Sequence, residues 1–288
     1  AHQGAGRLGA TVIPMSSGNT QRQILLLEDA GINTLICTPS YALNLAETIT
    51  AMGKKGKLAL RYAHLGGEPW TEEMRAGIEE ELGIRAFNNY GLSEIIGPGV
   101  SGECAARCGM HIQEDQFIVE CLDPETLEPV AEGEQGELVI TSLNKEACPI
   151  IRYRTRDICV LSHEKCSCGR THVRMAKPMG RSDDMLIIKG VNVFPSQIET
   201  VLLEQGYPAN YQIIVDRVNN LDTLEVQVEM NETLFADEIR KLQSLESSIQ
   251  KSIKEFLGVT TKVRLMEPHS IQRSEGKAKR IIDKRPTE

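Results

Sequence analysis

Apolar and polar positions along the first ninety residues fall into blocks that switch between helical and strand periods. Thr20 to Ala30 carries a helical pattern that stops at Gly31, and Ile32 to Cys37 is a short β-like run ending before Pro39. Ser40 is expected to cap a second helix that stops near Gly53, and Leu58 to His64 reads as a strand. Thr71 is expected to cap a third helix, with Glu72 and Glu73 in its first turn, where acidic side chains suit the helix dipole. Gly83 ends that helix and Ile84 to Asn88 supplies the next strand. The α-β-α-β order predicts a parallel sheet with helices on its faces.

Beyond residue 100 the pattern becomes β-rich. Phe117 to Leu122, Glu137 to Leu143 and Ile151 to Leu161 read as strands separated by turns such as Asp123-Pro124 and Glu132-Gly133. A third pattern starts near Gly180. Met185 to Lys189 reads as strand, Pro195 opens a helix that ends at Gly206, and Tyr211 to Val218 with Thr223 to Met230 forms a hairpin across Asn219-Asn220. Ala236 to Leu257 is a long amphipathic helix, and Thr261 to Met266 is a last strand before a basic, Gly-containing tail expected to be a mobile loop. The expected fold is α/β. A doubly wound sheet and a β-rich subdomain occupy residues 1–180, and a small α+β (βαββαβ) domain of ferredoxin-like order occupies residues 181–288.

The length of 288 residues agrees with two domains. With 32 basic against 40 acidic residues the net charge is −8, which argues against nucleic-acid partners, since these need a basic face. Aromatics at 4% argue against a surface built on stacked bases. No apolar run approaches the ~20 residues needed to cross a bilayer, and the first residues lack the order of a signal peptide, so a cytoplasmic location without membrane partners is expected. Eight cysteines in such a chain read as free thiols or metal ligands. Cys37, Cys121, Cys148 and Cys159 lie singly in apolar stretches and are expected in the core, whereas Cys104, Cys108, Cys166 and Cys168 lie in polar, turn-like sequence.

Several stretches invite chemistry, each beside a plainer alternative. Ser16-Ser17-Gly18-Asn19-Thr20 could bind an anion through backbone N–H groups, but no Lys follows at phosphate-loop spacing, and a helix cap by Asn19 or Thr20 is the better account. Gly66-Gly67-Glu68-Pro69 follows a strand, where glycines allow close approach to a flat ligand, or simply a tight turn. Asn89-Tyr90-Gly91-Leu92-Ser93-Glu94 offers an aromatic face, a hydroxyl and a carboxylate in a loop; a plain polar loop fits equally. Within Arg152-Tyr153-Arg154-Thr155-Arg156-Asp157, the aspartate at a strand end could take a ribose diol, or the segment could be a charged edge strand. Gly180-Arg181-Ser182-Asp183-Asp184 sits at the domain boundary and could act as a hinge. Lys277 in Arg273-Ser274-Glu275-Gly276-Lys277 could swing onto a phosphate or belong to a disordered basic tail. Cys104, Cys108 and His111, with Cys166-Ser167-Cys168-Gly169, form two ligand clusters that suit tetrahedral Zn²⁺; spacing alone leaves zinc and free surface thiols both open.

Taken together, NNYGLSEIIGPGV, HIQEDQFIVECLDPETLEPV, GELVITSL, IIRYRTRD, GRSDDMLIIKGVNVFPSQIE and RSEGKAKRIIDKR resemble the phenylacetate–coenzyme A ligase family of adenylate-forming enzymes. The likeness runs in order from about Thr38 to the C-terminus. It implies ATP, AMP and Mg²⁺, coenzyme A, an aryl carboxylic acid as substrate, and two half-reactions through an acyl-adenylate. It implies that Gly67, Glu68 and Pro69 contact adenine, that Tyr90 and Gly91 line the same site, that Ser93 bonds the α-phosphate and that Glu94 holds Mg²⁺. It further implies that Asp157 binds the ribose hydroxyls, Arg181 supports the nucleotide, Asp183 is the hinge of a mobile C-terminal domain, and Lys277 reaches the α-phosphate and acyl oxygens during adenylation. Tyr41, in TPSYALNLAE, would line the acid pocket. Cys104, His111, Cys166 and Cys168 would hold a structural Zn²⁺, with Cys108 spare.

The family's Ser/Thr/Gly-rich phosphate loop lies before the region matching Ala1. The chain is therefore expected to be the C-terminal part of a longer ligase, with residues 1–180 a remnant of its large adenylation domain. Apolar surface left by missing residues would be compatible with a homodimer. The alternative from a different class is a non-catalytic zinc-bearing scaffold or interaction protein derived from a ligase. Lys277, Asp157 and Glu94 speak against it, because a scaffold has no physical need of them.

Overall fold

The computed structural model describes residues 2–16, 18–182, 186–188, 191–208, 210–218, 221–230, 239–273 and 280–285. The chain divides into two compact units. The first is built from residues 1–69 and 77–182, and the second from residues 70–76 and most of the chain after 182. Asp183, Lys277, the Asn219-Asn220 turn and the start of the long helix expected at Ala236 lie outside the described residues.

The first unit begins with α1 (His2–Arg7), α2 (Thr20–Asp29), β1 (Thr34–Cys37) and α3 (Pro39–Ala51). It continues with β2 (Tyr62–Gly66), helix α4 (Glu72–Leu82), in which the division between units falls, and β3 (Arg85–Leu92). Strands β1, β2 and β3 pair in parallel, as the alternating pattern implied. Leu35, Ala63, Leu65 and Ala86 bury one face of this sheet, while Ile36 and Tyr62 on the other are about half exposed. Asn19 caps α2 from a left-handed conformation, its Oδ1 accepting the Arg22 N–H at 3.1 Å, so the Ser-rich stretch ends in a helix cap. The cap of α3 is Thr38 rather than Ser40. Pro39, with its fixed φ and missing N–H, takes the first helical position and shifts the start by two residues. Strand β2 starts four residues later than the apolar pattern from Leu58 suggested.

The β-rich part follows as β4 (Gly97–Glu103), β5 (Met110–Ile112), β6 (Phe117–Leu122), β7 (Gln135–Ser142), β8 (Tyr153–Ser162), β9 (Arg174–Met175) and β10 (Gly180–Arg181). It joins the parallel strands in one sheet of order β1-β2-β3-β4-β5-β9-β8-β7-β6, with β10 paired to β8. Val100, Ile112, Leu138, Ile140, Cys159 and Met175 are the centre of its core. Cys159 is buried as expected, but Cys148 is exposed in a turn, and Cys37 and Cys121 are only partly covered.

In the second unit β11 (Leu186–Ile188) and β12 (Val191–Val193) form a small hairpin. They are followed by α5 (Pro195–Glu204), β13 (Tyr211–Val218), β14 (Leu221–Glu229), α6 (Ile239–Leu257), β15 (Lys262–Met266) and β16 (Ile281–Asp283). The four-stranded sheet has the order β15-β14-β13-β16. The expected first strand is thus outside this sheet. Its interior place is closed by direct pairing of β15 with β14, and β16, from the tail expected to be a loop, adds an edge strand in which Ile281 and Ile282 pair in parallel with Ile213 and Ile214. Ile249, Ile253 and Leu257, spaced by one helical turn, bury one stripe of α6 against this unit's core. No helix among the described residues is long and apolar enough to cross a membrane.

Two glycines fix how closely strands approach at the C-terminal end of the parallel sheet. A Cβ at Gly66 would lie 1.9 Å from the Asn89 carbonyl oxygen, and one at Gly91 would lie 1.8 Å from that of Gly97. Gly66→Ala is therefore expected to push β2 from β3 and cost about 1–3 kcal/mol. Urea unfolding measures this, and an unchanged midpoint would contradict the packing described.

Candidate nucleotide and metal sites

The end of β3 is held next to a bulge in β8. Tyr90 and Gly91, expected in a loop, are the last part of strand β3, at a register shift against β4. Tyr90 donates its phenolic O–H to Asp157 Oδ2 at 2.5 Å. Burial and then the Asp157 charge push the Tyr90 phenol well above its ordinary range, so it remains a donor. Asp157 is itself only 7% exposed. Across the β8–β10 ladder it faces Arg181, whose Nη1 lies 4.0 Å from Asp157 Oδ1. The structure thus brings Tyr90, Asp157 and Arg181 together.

Ser93 and Glu94 follow in the exposed turn after β3, where Ile95 and Ile96 both donate backbone N–H bonds to the Leu92 carbonyl. Lys145 donates to the Glu94 carbonyl, which leaves the Glu94 carboxylate without a partner among the described residues. Gly67 adopts a left-handed φ of 85° after β2. The Glu68 carboxylate turns back to accept the Ser40 N–H at 2.6 Å, so it caps α3. Burial and then the Glu68 charge push the nearby Cys37 thiol up to about 12, which keeps it protonated and inert. Tyr41 is buried in the first turn of α3, with its hydroxyl 3.2 Å from Thr20 Oγ1.

Sequence reasoning missed how Asp157 is held. Glu137 pairs with Ile158 and Val139 with Arg154, so the single residue Leu138 on β7 faces Thr155, Arg156 and Asp157 on β8. Arg156 takes a φ of 67°. Arg154 forks onto Glu137 at 3.1 and 2.5 Å, and Glu137 is fully buried. The sequence shows GELVITSL and RYRTRD only as two separate segments, and their mutual register cannot be derived from either alone.

The second cluster lies at the other end of the β-rich part. Cys104 follows β4, His111 is central in β5, and Cys166 and Cys168 lie in the turn between β8 and β9. Their ligand atoms all lie within 4.8 Å of one another. Cys104 Sγ is 3.8 Å from Cys166 Sγ, and Cys168 Sγ is 3.5 Å from His111 Nε2. Tetrahedral Zn²⁺, with bonds near 2.3 Å to sulfur and 2.0–2.1 Å to nitrogen, sets such edges at about 3.8 and about 3.5 Å, so the donor set fits the ion. Cys166 is drawn down to about 6, first by the Cys168 backbone N–H, whereas burial pushes Cys104 up. Cys108 lies beside the group, 3.3 Å from Cys166 Sγ.

In the second unit, the residues on either side of the segment that carries Lys277 are anchored by buried carboxylates. Arg273 forks onto Glu229 at 2.7 and 2.8 Å. Arg280 lies 3.3 Å from Glu199 and 4.4 Å over the Tyr211 ring.

Comparison with known proteins accounts for this combination. Residues 4–144 match the AMP-binding enzyme model, and residues 190–285 match the C-terminal domain of AMP-binding enzymes. The phenylacetate–coenzyme A ligase of Thermus thermophilus is 49% identical over 99% of the chain. The chain belongs to the phenylacetate–coenzyme A ligase family. The Escherichia coli phenylacetate–coenzyme A ligase is 45% identical over 99% of the chain. A crystal structure of 2-hydroxyisobutyryl-CoA ligase in the postadenylation state, in complex with R3-HIB-AMP, is similar with a TM-score of 0.90 and 29% identity, and covers 97% of the chain. The chain spans 67% and 65% of the length of these two curated family members, and 61% of that solved chain.

The Tyr90–Asp157 bond has a pH signature. The folded-state value of Tyr90 lies above the unfolded value near 10, so its contribution is complete below about pH 10 and is lost as pH rises beyond it. Tyr90→Phe is expected to cost about 1.5–3 kcal/mol at neutral pH and to lose stability less steeply above pH 10. Urea unfolding between pH 8 and 11 checks this, and parallel profiles for parent and variant would contradict it.

Proposed function

We propose that the protein is an aryl-acid–coenzyme A ligase, joining a phenylacetate-like acid to coenzyme A at the expense of ATP through an acyl-adenylate. The observation that carries the reading is the buried Asp157 carboxylate between Tyr90 and Arg181, in a chain whose family members include phenylacetate–coenzyme A ligases. A carboxylate at a strand end can take both hydroxyls of a ribose. The Tyr90 ring would stand beside the base, with the backbone of Gly67, Glu68 and Pro69 and the Cβ-free approach at Gly91 bounding it. Arg181 supports the nucleotide from β10. Tyr41 closes the acid pocket.

Attack of the acid carboxylate on the α-phosphate of ATP breaks its bond to the bridging oxygen, releases pyrophosphate and builds charge on phosphorus-bound oxygens. Lys277 supplies an ammonium to them, and Ser93 supplies a hydroxyl from the turn after β3. The Glu94 carboxylate is exposed and unengaged, which fits Mg²⁺, an ion that uses few protein carboxylates and keeps waters and substrate phosphates. When bound, that ion neutralises phosphate charge. The thiol of coenzyme A then displaces AMP, so no protein nucleophile is required. Asp183 serves as the hinge that lets Lys277 act in the first half-reaction only. Cys104, His111, Cys166 and Cys168 would hold one structural Zn²⁺, which when bound would tie β5 and the segment before it to the β8–β9 connection.

In the whole protein, exchange of pyrophosphate into ATP is expected to depend on an aryl acid, and Lys277→Ala is expected to lower it about 10²–10³-fold with the fold intact. No exchange with any of a panel of aryl acids would overturn the ligase reading. A protein that lacks Lys277-dependent turnover but keeps its zinc would favour the scaffold.

Metal analysis after chelating resin is expected to find one equivalent of zinc, and Cys104→Ser to lower both zinc content and Tm. Absence of stoichiometric metal would remove the zinc assignment.

A further inference from the structure

The bulge in β8 is costly by its geometry, and two buried polar side chains hold it. Three residues of β8 face one of β7, and Arg156 sits at a φ of 67°, a region where residues with a Cβ are disfavoured. A ladder broken in this way leaves backbone groups unpaired. Thr155 and Glu137 supply partners. The Thr155 hydroxyl donates to the Leu138 carbonyl at 2.8 Å and accepts the Asp157 N–H at 3.0 Å. Glu137 Oε1 accepts the Arg156 N–H at 3.2 Å, while Arg154 balances the carboxylate charge. Thr155 is 2% exposed and Glu137 is 0% exposed. A buried ion pair of this kind is often no more stabilising than apolar packing, so stability alone gives little reason for Glu137.

What the arrangement determines is where along the sheet the next buried side chain falls. The bulge adds two residues, so Asp157 keeps the buried face it shares with Thr155 and Cys159, but its position is shifted by two residues against β7. In the bulged register its carboxylate meets the Tyr90 hydroxyl and faces Arg181.

We propose that Glu137 and Thr155 are positioning residues that hold the β8 bulge in the register aiming Asp157 at a ribose diol, and so set the preference of the site for ribonucleotides. The proposal rests on the nucleotide reading of Asp157 given above. They act through the Asp157 and Arg156 backbone, and the Thr155 hydroxyl also lies within hydrogen-bond reach of the Tyr90 phenol.

The test is binding of AMP and 2′,3′-dideoxy-AMP by calorimetry on the full-length protein, with thermal unfolding measured in parallel. The parent is expected to prefer AMP by roughly tenfold or more, as loss of a hydrogen bond to a charged group implies. Asp157→Asn should reduce that preference. Thr155→Val is expected to lower AMP affinity by roughly tenfold and to bring the ratio of the two affinities towards one, with little effect on the dideoxy ligand. Thr155→Ser, which retains the hydroxyl, should restore the ratio. Arg156→Gly in the Thr155→Val background should also rescue it, because glycine takes the positive φ unaided. Glu137→Gln, close in shape, is expected to reduce the ratio, and its ratio is the deciding one should Thr155→Val fail to fold. Folded variants at both positions with the parental ratio would overturn the positioning role while leaving the nucleotide reading intact. A parent with no preference for AMP would overturn both.

Discussion

A carboxylate removed from water must be given donors, and its orientation is then fixed by whatever supplies them. Asp157 is such a group. Its Oδ2 is bound by Tyr90 from β3, its backbone N–H is held by Thr155, and Arg181 faces it from β10. These groups come from separate strands of one sheet, so the parallel part, the β-rich part and the short β10 all have to be in register before the carboxylate is placed. The glycines at 66 and 91 serve the same end, since they let β2, β3 and β4 close to distances that a Cβ would forbid.

The thiol–imidazole group plays a comparable part at the other end of the β-rich region. β5 and β9 are only three and two residues long, and strands this short hold few ladder bonds. Cys104, His111, Cys166 and Cys168 converge from the segments that enter and leave these strands. A tetrahedral ion there would replace hydrogen bonds that the short strands cannot make. With such an ion bound, the two sites would answer the same constraint by different chemistry, since a long sheet of mixed direction needs polar cross-links where its ladder is interrupted.

Much of this was legible from the residues. Helical and strand periods located α2, α3, α4 and α5 to within a few positions, and β6 and β13 to the residue, because each carries a sustained pattern bounded by Gly, Pro or a capping side chain. The two polar clusters, Cys104, Cys108 and His111 with Cys166 and Cys168, were also visible, and the family resemblance set Cys108 aside. Strands β4, β5, β9 and β10 were not, since Gly-rich or two-residue strands have no period to detect. The addition of Ile281–Asp283 as an edge strand depended on pairing between distant segments. The Glu68 side chain caps α3, a partnership 28 residues apart that no local pattern shows. The bulge at Arg156 was hidden for the same reason: a positive φ at arginine runs against local preference and arises only from the β7–β8 register.

The most direct measurement is a crystal structure of the full-length protein with an aryl-acyl-adenylate bound. The account predicts both ribose hydroxyls within hydrogen-bond distance of the Asp157 carboxylate, with the base beside the Tyr90 ring. A nucleotide seated elsewhere, with Asp157 still closed on Tyr90 and no sugar near it, would contradict it.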